Sequence, residues 1–352
     1  MKRSLIQYII CPSCGANLEL SEIRKENGEE ISSALLICQN GHTFPVTEGV
    51  PRMVMEDTLG TTKVHTQRSF SEKWARIPDY GHKSSTREFQ LKWYLQRYGW
   101  DSIEDLSNFL ATRRFILDAG TGTGRDTKLY AENTKGEVFG IDISESVDVA
   151  YSHIRHLPNA HIIQADLTKL PFPRGLFDFI ASDQVLHHTP DTAASFKYLV
   201  GFLERGGQIA IYVYKKKGPI REFCDDYIRS YTTKLEAKEC YEFAQAITKL
   251  GKSLSDQRVE ITVPEDIPYL QIKSGTYNLQ RFVYWNIFKC FWNDDFDFET
   301  NVMVNFDWYH PRDAHRHTPE EVKRWFEDMR LEFLNFDVSE SGISARGMKC
   351  AV

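Results

Sequence analysis

The sequence has no long hydrophobic run and no excess of basic residues, and each absence excludes a class of protein. No apolar stretch reaches the roughly 18 residues that a membrane-spanning helix needs. The opening stretch, MKRSLIQYIICPSC, has too short an apolar segment for a secretory signal peptide. The net charge of −6 gives the chain as a whole no electrostatic attraction to nucleic acid. We therefore expect a cytoplasmic protein with no membrane span and no nucleic-acid partner.

Cysteines are few and mostly solitary, which argues against a disulfide framework. Of the seven, four stand alone in the sequence: Cys224, Cys240, Cys290 and Cys350. Solitary cysteines are typical of proteins from a reducing compartment. This pattern agrees with a cytoplasmic location.

The other three cysteines and one histidine form a candidate metal site. Two residues separate Cys11 from Cys14, and three separate Cys38 from His42. Three thiolates and an imidazole make a tetrahedral donor set that suits zinc, and four protein ligands leave no position for a substrate. The alternative is three buried cysteines and a surface histidine without metal. We expect residues 1–56 to form a zinc-ribbon-like domain with a hairpin, NLELSEI and EISSALLI, and little core of its own.

Apolar strands alternate with helices from Arg114 onwards, and a length of 352 residues leaves room for this second unit. The predicted strands are RFILDAG, EVFGIDIS, AHIIQAD, FDFIASDQ and GGQIAIYVY. Such alternation predicts an α/β fold with a doubly wound, mostly parallel sheet. We expect Ser144 to cap the helix after the second strand and Thr189, before Pro190, to begin the helix after the fourth. Thr318 and Glu321 form a predicted capping box for a later helix.

A Gly-rich turn follows the first of these strands, in FILDAGTGTGRDT. No Gly-Lys-Ser or Gly-Lys-Thr follows it, which excludes a P-loop. Gly120, Gly122 and Gly124 run G-x-G-x-G, whereas the dinucleotide fingerprint is G-x-G-x-x-G. Asp118 at the strand end would repel a pyrophosphate but suits an ammonium group, directly or through water.

Two further acids end the next strands. Asp142 stands about 20 residues beyond the turn, as recognition of a ribose diol requires. Asp166 follows the third strand and can accept a hydrogen bond from an adenine amino group, while Leu167 donates its backbone N–H to the ring. Together with Asp118 and the glycines, these acids favour S-adenosylmethionine as the cofactor.

Residues 114–214 resemble a class I S-adenosylmethionine-dependent methyltransferase, motif by motif. The motifs are LDAGTGTGRDT, GIDISES, QADLTKLPFPRGLFDFIASDQVLHHTPD and LERGGQIAIYVY. The resemblance implies that Gly120 and Gly122 hold the methionine end and that Asp183 and Gln184 line the sulfonium. It also implies a seven-stranded sheet whose last two strands, LEFLNFDVS and GISARGMKCAV, form an antiparallel hairpin at the edge.

The stretch TQRSFSEKWARI, before the core, resembles the helix that closes over the cofactor in many bacterial methyltransferases. Phe70 and Trp74 share one face of this helix and either touch the cofactor or only pack. The complete set of cofactor-binding residues expected is Phe70, Asp118, Gly120, Gly122, Asp142, Ile143, Asp166, Leu167, Asp183 and Gln184.

A long insertion separates the fifth strand from Thr318. We expect residues 57–113 to be helical and to close over the cofactor, residues 114–214 and 318–352 to form the core, and residues 215–317 to form a helical lid over the acceptor. Ligands bind at the carboxyl ends of parallel strands, which the insertion would cover. Three roles are open for its aromatic half, YNLQRFVYWNIFKCFWNDDFDFE: the lid's own core, an apolar acceptor pocket, or a homodimer surface.

An oxygen or nitrogen acceptor can require removal of a proton. Our catalytic candidates are His187, Tyr309 and His310, with His187 nearest in sequence to the strand that delivers Asp183. The other candidate bases in the same stretches are His188, Asp307, His315 and His317. A structural, hydrogen-bonded role is the alternative for each histidine.

Three functions fit these patterns. The first is a methyltransferase acting on a small molecule, apolar or aromatic, in specialised or cell-envelope metabolism. The second is an RNA base methyltransferase, since enzymes that modify ribosomal RNA share a Cys3His knuckle before the same core; the acidic balance and the insertion argue against it. The third is a non-catalytic partner subunit that binds the cofactor, against which the intact cofactor motifs argue.

Overall fold

The computed structural model describes residues 1–55 and 59–350. The expected boundary between residues 56 and 57, and the last two residues of the final predicted strand, lie outside the described residues. None of the helices described is both long enough and apolar enough to span a bilayer.

An antiparallel sheet of four strands forms the N-terminal unit. Its strands, hydrogen-bonded in chain order, are β1 (Leu18–Asn27), β2 (Glu30–Cys38), β3 (Thr43–Thr47) and β4 (Val50–Pro51). Leu36 and Phe44 are buried in the same hydrophobic cluster as Leu117 and Ile163 of the central sheet. The small unit therefore buries its apolar residues against the larger one, which compensates for the little core that we expected it to have.

Three helices connect this unit to the central sheet. They are α1 (Thr61–Arg76), α2 (Ser84–Tyr98) and α3 (Ile103–Ala111). Each has a local signal in the sequence: Gly99 ends α2 in the left-handed conformation, and the Ser102 hydroxyl caps α3 at the N–H of Asp105.

The central unit alternates strands and helices as predicted. In chain order these elements are β5 (Phe115–Ala119), α4 (Arg125–Asn133), β6 (Glu137–Asp142), α5 (Ser146–Ile154), β7 (Ala160–Gln164), β8 (Phe177–Ser182), α6 (Thr192–Val200) and β9 (Leu203–Tyr214). Every residue of β7 and β8 is buried, as in parallel sheets that carry helices on both faces.

The insertion is mainly helical. Its elements are α7 (Pro219–Thr232), α8 (Ala237–Asp256), β10 (Glu260–Val263), β11 (Gly275–Asn278), α9 (Leu279–Asn286) and α10 (Phe298–Tyr309). Cys240 and Ala244 of α8 pack with Met303 and Phe306 of α10 in a separate hydrophobic cluster. Tyr284 and Cys290 belong to the same cluster, so part of the aromatic half is the insertion's own core.

The chain returns to the central sheet through α11 (Pro319–Asp328), β12 (Leu331–Val338) and β13 (Gly342–Lys349). The seven strands lie in the order β12-β13-β9-β8-β5-β6-β7. Strands β5 to β9 are parallel, and β13 is antiparallel to both β9 and β12. The predicted fold is confirmed. Because β5 lies between β6 and β8, the strand order reverses at β5, and the carboxyl end of β5 is where ligands bind in such sheets.

One predicted helix start is wrong and a second is shifted by one residue. Helix α6 is capped by Asp191, whose carboxylate accepts from the N–H of Ala194, and not by Thr189. The Thr189 hydroxyl instead donates to the carbonyl of Leu186. Ser144 lies one residue before the N-cap position of α5, Glu145, but its Oγ accepts from the N–H of Ser146, while its hydroxyl donates to Asp142. The capping box of Thr318 and Glu321 is present as predicted.

Candidate functional site

A cavity of about 460 Å³ lies at the carboxyl end of β5. Its volume is within the range of roughly 300–1,000 Å³ typical of small-molecule sites. One wall consists of the turns that follow β5, β6, β7 and β8, and the other consists of α1, α2 and the insertion. Nine of the ten predicted cofactor residues line it: Phe70, Gly120, Gly122, Asp142, Ile143, Asp166, Leu167, Asp183 and Gln184.

The Gly-rich turn lies against its neighbours with no room for side chains. Gly120 has φ +105°, and a Cβ there would lie 2.2 Å from a methyl carbon of Val185. Gly122 has φ +52°, and its N–H donates to Asp142 at 3.0 Å. Only glycine combines this conformation with this closeness, so the backbone itself forms the cavity wall.

Two carboxylates beside the turn are held by short local hydrogen bonds. The other oxygen of Asp142 accepts from the backbone N–H and the hydroxyl of Ser144, at 2.9 and 2.7 Å. Asp166 accepts from the N–H and hydroxyl of Thr168, both at 2.8 Å, and from Lys63 Nζ at 2.6 Å. Lys63 belongs to α1, and no local motif in the sequence indicated its contact with Asp166.

Asp183 is the centre of a buried ion-pair network. Arg97 of α2 donates to both of its oxygens, at 2.8 and 3.0 Å, and the Tyr98 hydroxyl donates at 2.9 Å. Arg125 adds a third cationic contact at 3.2 Å. Burial alone would raise the pKa of Asp183, but Arg97 and Arg125 outweigh it and lower the pKa. Asp183 lines the cavity as an ion whose oxygens are already occupied.

Gln184 has a backbone conformation that is rare for its residue type. Its φ of +63° lies in the left-handed region, and the residue lines the cavity. Backbone strain of this kind persists where the surroundings impose it, commonly at functional sites. Phe70 and Trp74 of α1 both line the cavity as well. Each ring therefore forms part of the cavity surface, in addition to any packing against neighbouring helices.

Asp118 is the one predicted cofactor residue outside the cavity lining. Its carboxylate is buried and accepts from the Thr127 hydroxyl at 2.6 Å. Burial, reinforced by the nearby carboxylate of Asp126, raises the pKa of Asp118 to about 7. Asp126, the second residue of α4, lines the cavity near the turn instead. Side chains alternate between the two faces of a strand, so Asp118 lies on the same face of β5 as the buried Ile116.

The three predicted catalytic residues also lie outside the cavity lining, and the geometry does not support their direct contact with an acceptor. The His187 ring stacks on Tyr214 with centroids 3.6 Å apart. The Tyr309 hydroxyl donates to the carbonyl of Lys289 at 2.7 Å. His310 Nδ1 lies 2.7 Å from the Ser69 hydroxyl, and burial lowers its pKa to about 4. All three are structural contacts between buried elements.

Other polar residues take their place on the cavity wall. His188, the neighbour of His187, lines the cavity, and its Nδ1 lies 2.7 Å from the carbonyl of Asp313. Because a carbonyl only accepts, Nδ1 carries the proton and Nε2 is the acceptor nitrogen. Asp307, one of the wider set of candidate bases, also lines the cavity and bonds Lys73 Nζ at 2.7 Å. Lys73 was not predicted, since a lysine on a helix gives no signal of its partner.

The four predicted metal ligands are brought together in the N-terminal unit. Their ligand atoms all lie within 4.8 Å of one another. Cys14 Sγ is 3.7 Å from Cys38 Sγ, and His42 Nδ1 is 3.3 Å from Cys38 Sγ and 3.6 Å from Cys11 Sγ. Tetrahedral zinc with Zn–S bonds of about 2.3 Å requires S–S separations of about 3.8 Å and slightly shorter S–N separations. The donor set fits zinc in both chemistry and size.

Comparison with known families agrees with the site. Residues 117–211 match the family model described as a methyltransferase domain. This range begins in β5 and ends in β9, so it contains the Gly-rich turn and the acids at the strand ends. This part of the chain is therefore similar to a methyltransferase domain, in agreement with the predicted enzyme class.

Curated relatives match the same region. Phosphoethanolamine N-methyltransferase 3 of Arabidopsis thaliana is 30% identical over 155 residues, 43% of this chain and 30% of that protein. The ubiquinone/menaquinone biosynthesis C-methyltransferase of Vibrio cholerae is 30% identical over 120 residues, 32% of this chain and 46% of that protein. This chain thus spans less than half the length of either relative.

Solved structures with a similar fold include a S-adenosylmethionine-dependent methyltransferase from Aquifex aeolicus. It is 14% identical, with a TM-score of 0.39, over 72% of this chain and 92% of that one. A methyltransferase from Mesorhizobium loti is 26% identical, with a TM-score of 0.31, over 35% of this chain and 56% of that one. These scores are low, and the fold assignment rests on the strand order described above.

The ion pair of Arg97 and Asp183 makes a testable contribution to stability. Asp183→Asn leaves a buried guanidinium with no full counter-charge, so we expect the free energy of unfolding to fall by roughly 3–5 kcal/mol in urea denaturation. The control is Asp328→Asn, which breaks the exposed pair with Lys197 and should cost at most about 1 kcal/mol. Equal costs for the two variants would show that the buried network does not stabilise the fold.

Proposed function

We propose that this protein is a S-adenosylmethionine-dependent methyltransferase that acts on a small molecule. The observation that carries the proposal is the continuity of one cavity from the Gly120–Gly122 turn to Trp285 and Phe296 of the insertion. Cofactor and acceptor would therefore occupy a single chamber. A small acceptor fits such a chamber better than a structured RNA.

The cofactor contacts can be proposed atom by atom. A carboxylate has about four acceptor positions. Asp166 uses three, on Lys63 and Thr168, and keeps one that it would offer to an adenine amino group. Asp142 accepts from Gly122, Ile143 and Ser144, and one of its carboxylate oxygens would also accept from a ribose hydroxyl. Ile143 and Leu167 would flank these groups, and the Gly120–Gly122 turn would hold the methionine part.

Positioning and exclusion of water are the main contributions that this chain would make to catalysis. The bound cofactor supplies a methyl group on a charged sulfonium, whose departure needs no protonation. The acceptor atom must then be held in line, and the aromatic wall of Tyr214, Tyr284 and Trp285 would keep water out. Burial lowers the pKa of His188 to about 3, so its Nε2 would accept a hydrogen bond from the acceptor and not remove its proton.

We also propose that Cys11, Cys14, Cys38 and His42 bind one structural zinc ion. The separations of their ligand atoms support this assignment. A zinc ion here would stabilise the turns before β1 and between β2 and β3. Four protein ligands would leave the ion no open position, so it would act on folding and not on methyl transfer.

Cofactor binding is tested at Asp142. Asp142→Ala removes an acceptor for the ribose and the bond that holds Gly122, so S-adenosylhomocysteine should bind about a hundredfold more weakly in calorimetry, or about 3 kcal/mol. Asp148→Ala is the control, because that exposed carboxylate pairs with Arg52 of the N-terminal unit and does not line the cavity. Unchanged affinity in Asp142→Ala, or tight binding of NAD by the wild type, would contradict the cofactor assignment.

The zinc assignment is tested by elemental analysis of the purified protein. We expect about one zinc per chain, and none in a Cys11→Ser, Cys14→Ser double variant, which should also unfold at a lower temperature. A Cys240→Ser, Cys290→Ser double variant keeps all four ligands and should retain the metal. Wild-type protein that is fully folded without metal would refute the site.

The choice between a small molecule and RNA is tested by salt dependence. Each phosphate contact adds roughly one unit to the slope of log affinity against log salt concentration. For an enclosed acceptor we expect no measurable binding of ribosomal or transfer RNA at physiological salt and turnover that changes little with salt. Micromolar RNA binding that weakens steeply with salt would instead support an RNA methyltransferase.

A further inference from the structure

The acceptor side of the cavity carries a concentration of positive charge. Five cationic residues line it beside the aromatic wall: Lys73, Lys217, Arg221, Arg281 and Lys289. Arg221, Lys289 and Lys73 are almost fully buried, with exposed fractions of 1%, 5% and 8%. Cations are rarely buried without a partner, so the question is which carboxylates balance them.

Two carboxylates balance part of this charge. Asp225 forms a buried pair with Arg221. Asp307 lies between two lysines, with its oxygens 2.7 Å from Lys73 Nζ and 3.6 Å from Lys289 Nζ. Among the described residues, two acids lie within salt-bridge distance of these five cations, and Glu222 acts on Lys217 from farther away. The side chains therefore still leave an excess of positive charge on this wall.

Lys217 and Arg281 have no carboxylate within salt-bridge distance among residues 1–55 and 59–350. Lys217 Nζ donates only to backbone carbonyls, those of Glu340 and Ser341. The Arg281 guanidinium carbon lies 5.9 Å from the ring centre of Tyr284, and Lys217 Nζ lies 5.2 Å from that of Trp285. These two rings are themselves 4.4 Å apart, so the two unpaired cations lie around one aromatic pair.

Lys217, Arg221 and Lys289 lie close enough to repel one another electrostatically. Burial lowers the pKa of Lys217 well below its ordinary value, with Arg221, Lys215 and Lys289 adding repulsion and Glu222 opposing it. Burial lowers the pKa of Lys289 to about 8, although Asp307 opposes this. Such repulsion is relieved when an anion enters the cavity, because it restores the charge balance that the protein lacks.

We propose that the methyl acceptor carries an anionic oxygen group, a carboxylate or a phosphate, that binds between Lys217, Arg281 and Lys289 while its apolar part packs on Tyr284 and Trp285. This rests on the proposed methyltransferase function and specifies its substrate class. Arg281 presents a guanidinium fork suited to two oxygens of one anion, and the lysines add point charges. A neutral lipid-like or polyketide-like acceptor would leave the cations unpaired.

The experiment uses calorimetry on full-length protein saturated with S-adenosylhomocysteine. The probes are 4-hydroxybenzoate and phenyl phosphate, with 4-hydroxybenzamide and phenol as their neutral counterparts. We expect the better anionic probe to bind at least tenfold more tightly than its neutral counterpart. The preferred anion also distinguishes a carboxylate from a phosphate as the group recognised.

A double variant then tests the residues. Lys217→Met with Arg281→Met should weaken anion binding at least tenfold and leave neutral probes unchanged. Lys238→Met with Lys249→Met is the control, because both lysines are exposed on α8 and the net charge changes equally. S-adenosylhomocysteine affinity and the melting temperature of both variants establish that the cavity is intact.

The remaining outcomes of these measurements would contradict either the anion site or the proposed function. Equal binding of anionic and neutral probes, no binding of either anionic probe, or equal losses in the two double variants would overturn the anion site. Failure of wild-type protein to bind S-adenosylhomocysteine would refute the proposed function itself. The two failures are separate because the cofactor measurement precedes the addition of any probe.

Discussion

The buried contact between Arg97 and Asp183 is the interaction on which the site depends most. It joins α2, in the helical segment before the core, to the turn after β8 at the centre of the sheet. The same guanidinium lies 3.6 Å from the ring centre of Trp93 and 4.9 Å from that of Tyr212, two rings of the cavity wall. One ion pair thus joins the turn after β8 to part of the cavity wall. The cost of burying Asp183 is offset by hydrogen bonds from four side chains: Arg97, Tyr98, Arg125 and Gln184.

The fold and most of the cofactor wall could be predicted because they are local in sequence. A strand, a Gly-rich turn and a helix form one continuous pattern, and an acid at a strand end occupies a position that strand order alone determines. Gly120, Asp142 and Asp166, which were predicted in this way, line the cavity. Asp118 does not, because the face on which a strand residue lies depends on the pleat, and a shift of one residue reverses it.

The acceptor wall could not be predicted from the sequence, for a physical reason. Its residues come from α1, α2, α7, α9 and α10, and their meeting depends on how helices pack, which no local motif encodes. Histidines were predicted as catalytic bases because an imidazole can take up a proton near neutral pH, yet His187 and His310 lie outside the cavity lining. The residues that face the chamber, among them Lys73, Lys217 and Arg281, look like ordinary surface cations in the sequence. Likewise Thr189 was predicted to begin α6 because a proline follows it, whereas the helix is capped two residues later, by Asp191.

Helix α1 forms ion pairs at both ends of the cavity. Lys63, near its start, bonds Asp166 at the adenine end, and Lys73, ten residues later, bonds Asp307 on the insertion. The two lysines are about 15 Å apart along one rigid helix. A ligand that displaces either contact therefore alters the restraint on the other. Such coupling is reciprocal: if the cofactor strengthens acceptor binding by some factor, the acceptor strengthens cofactor binding by the same factor.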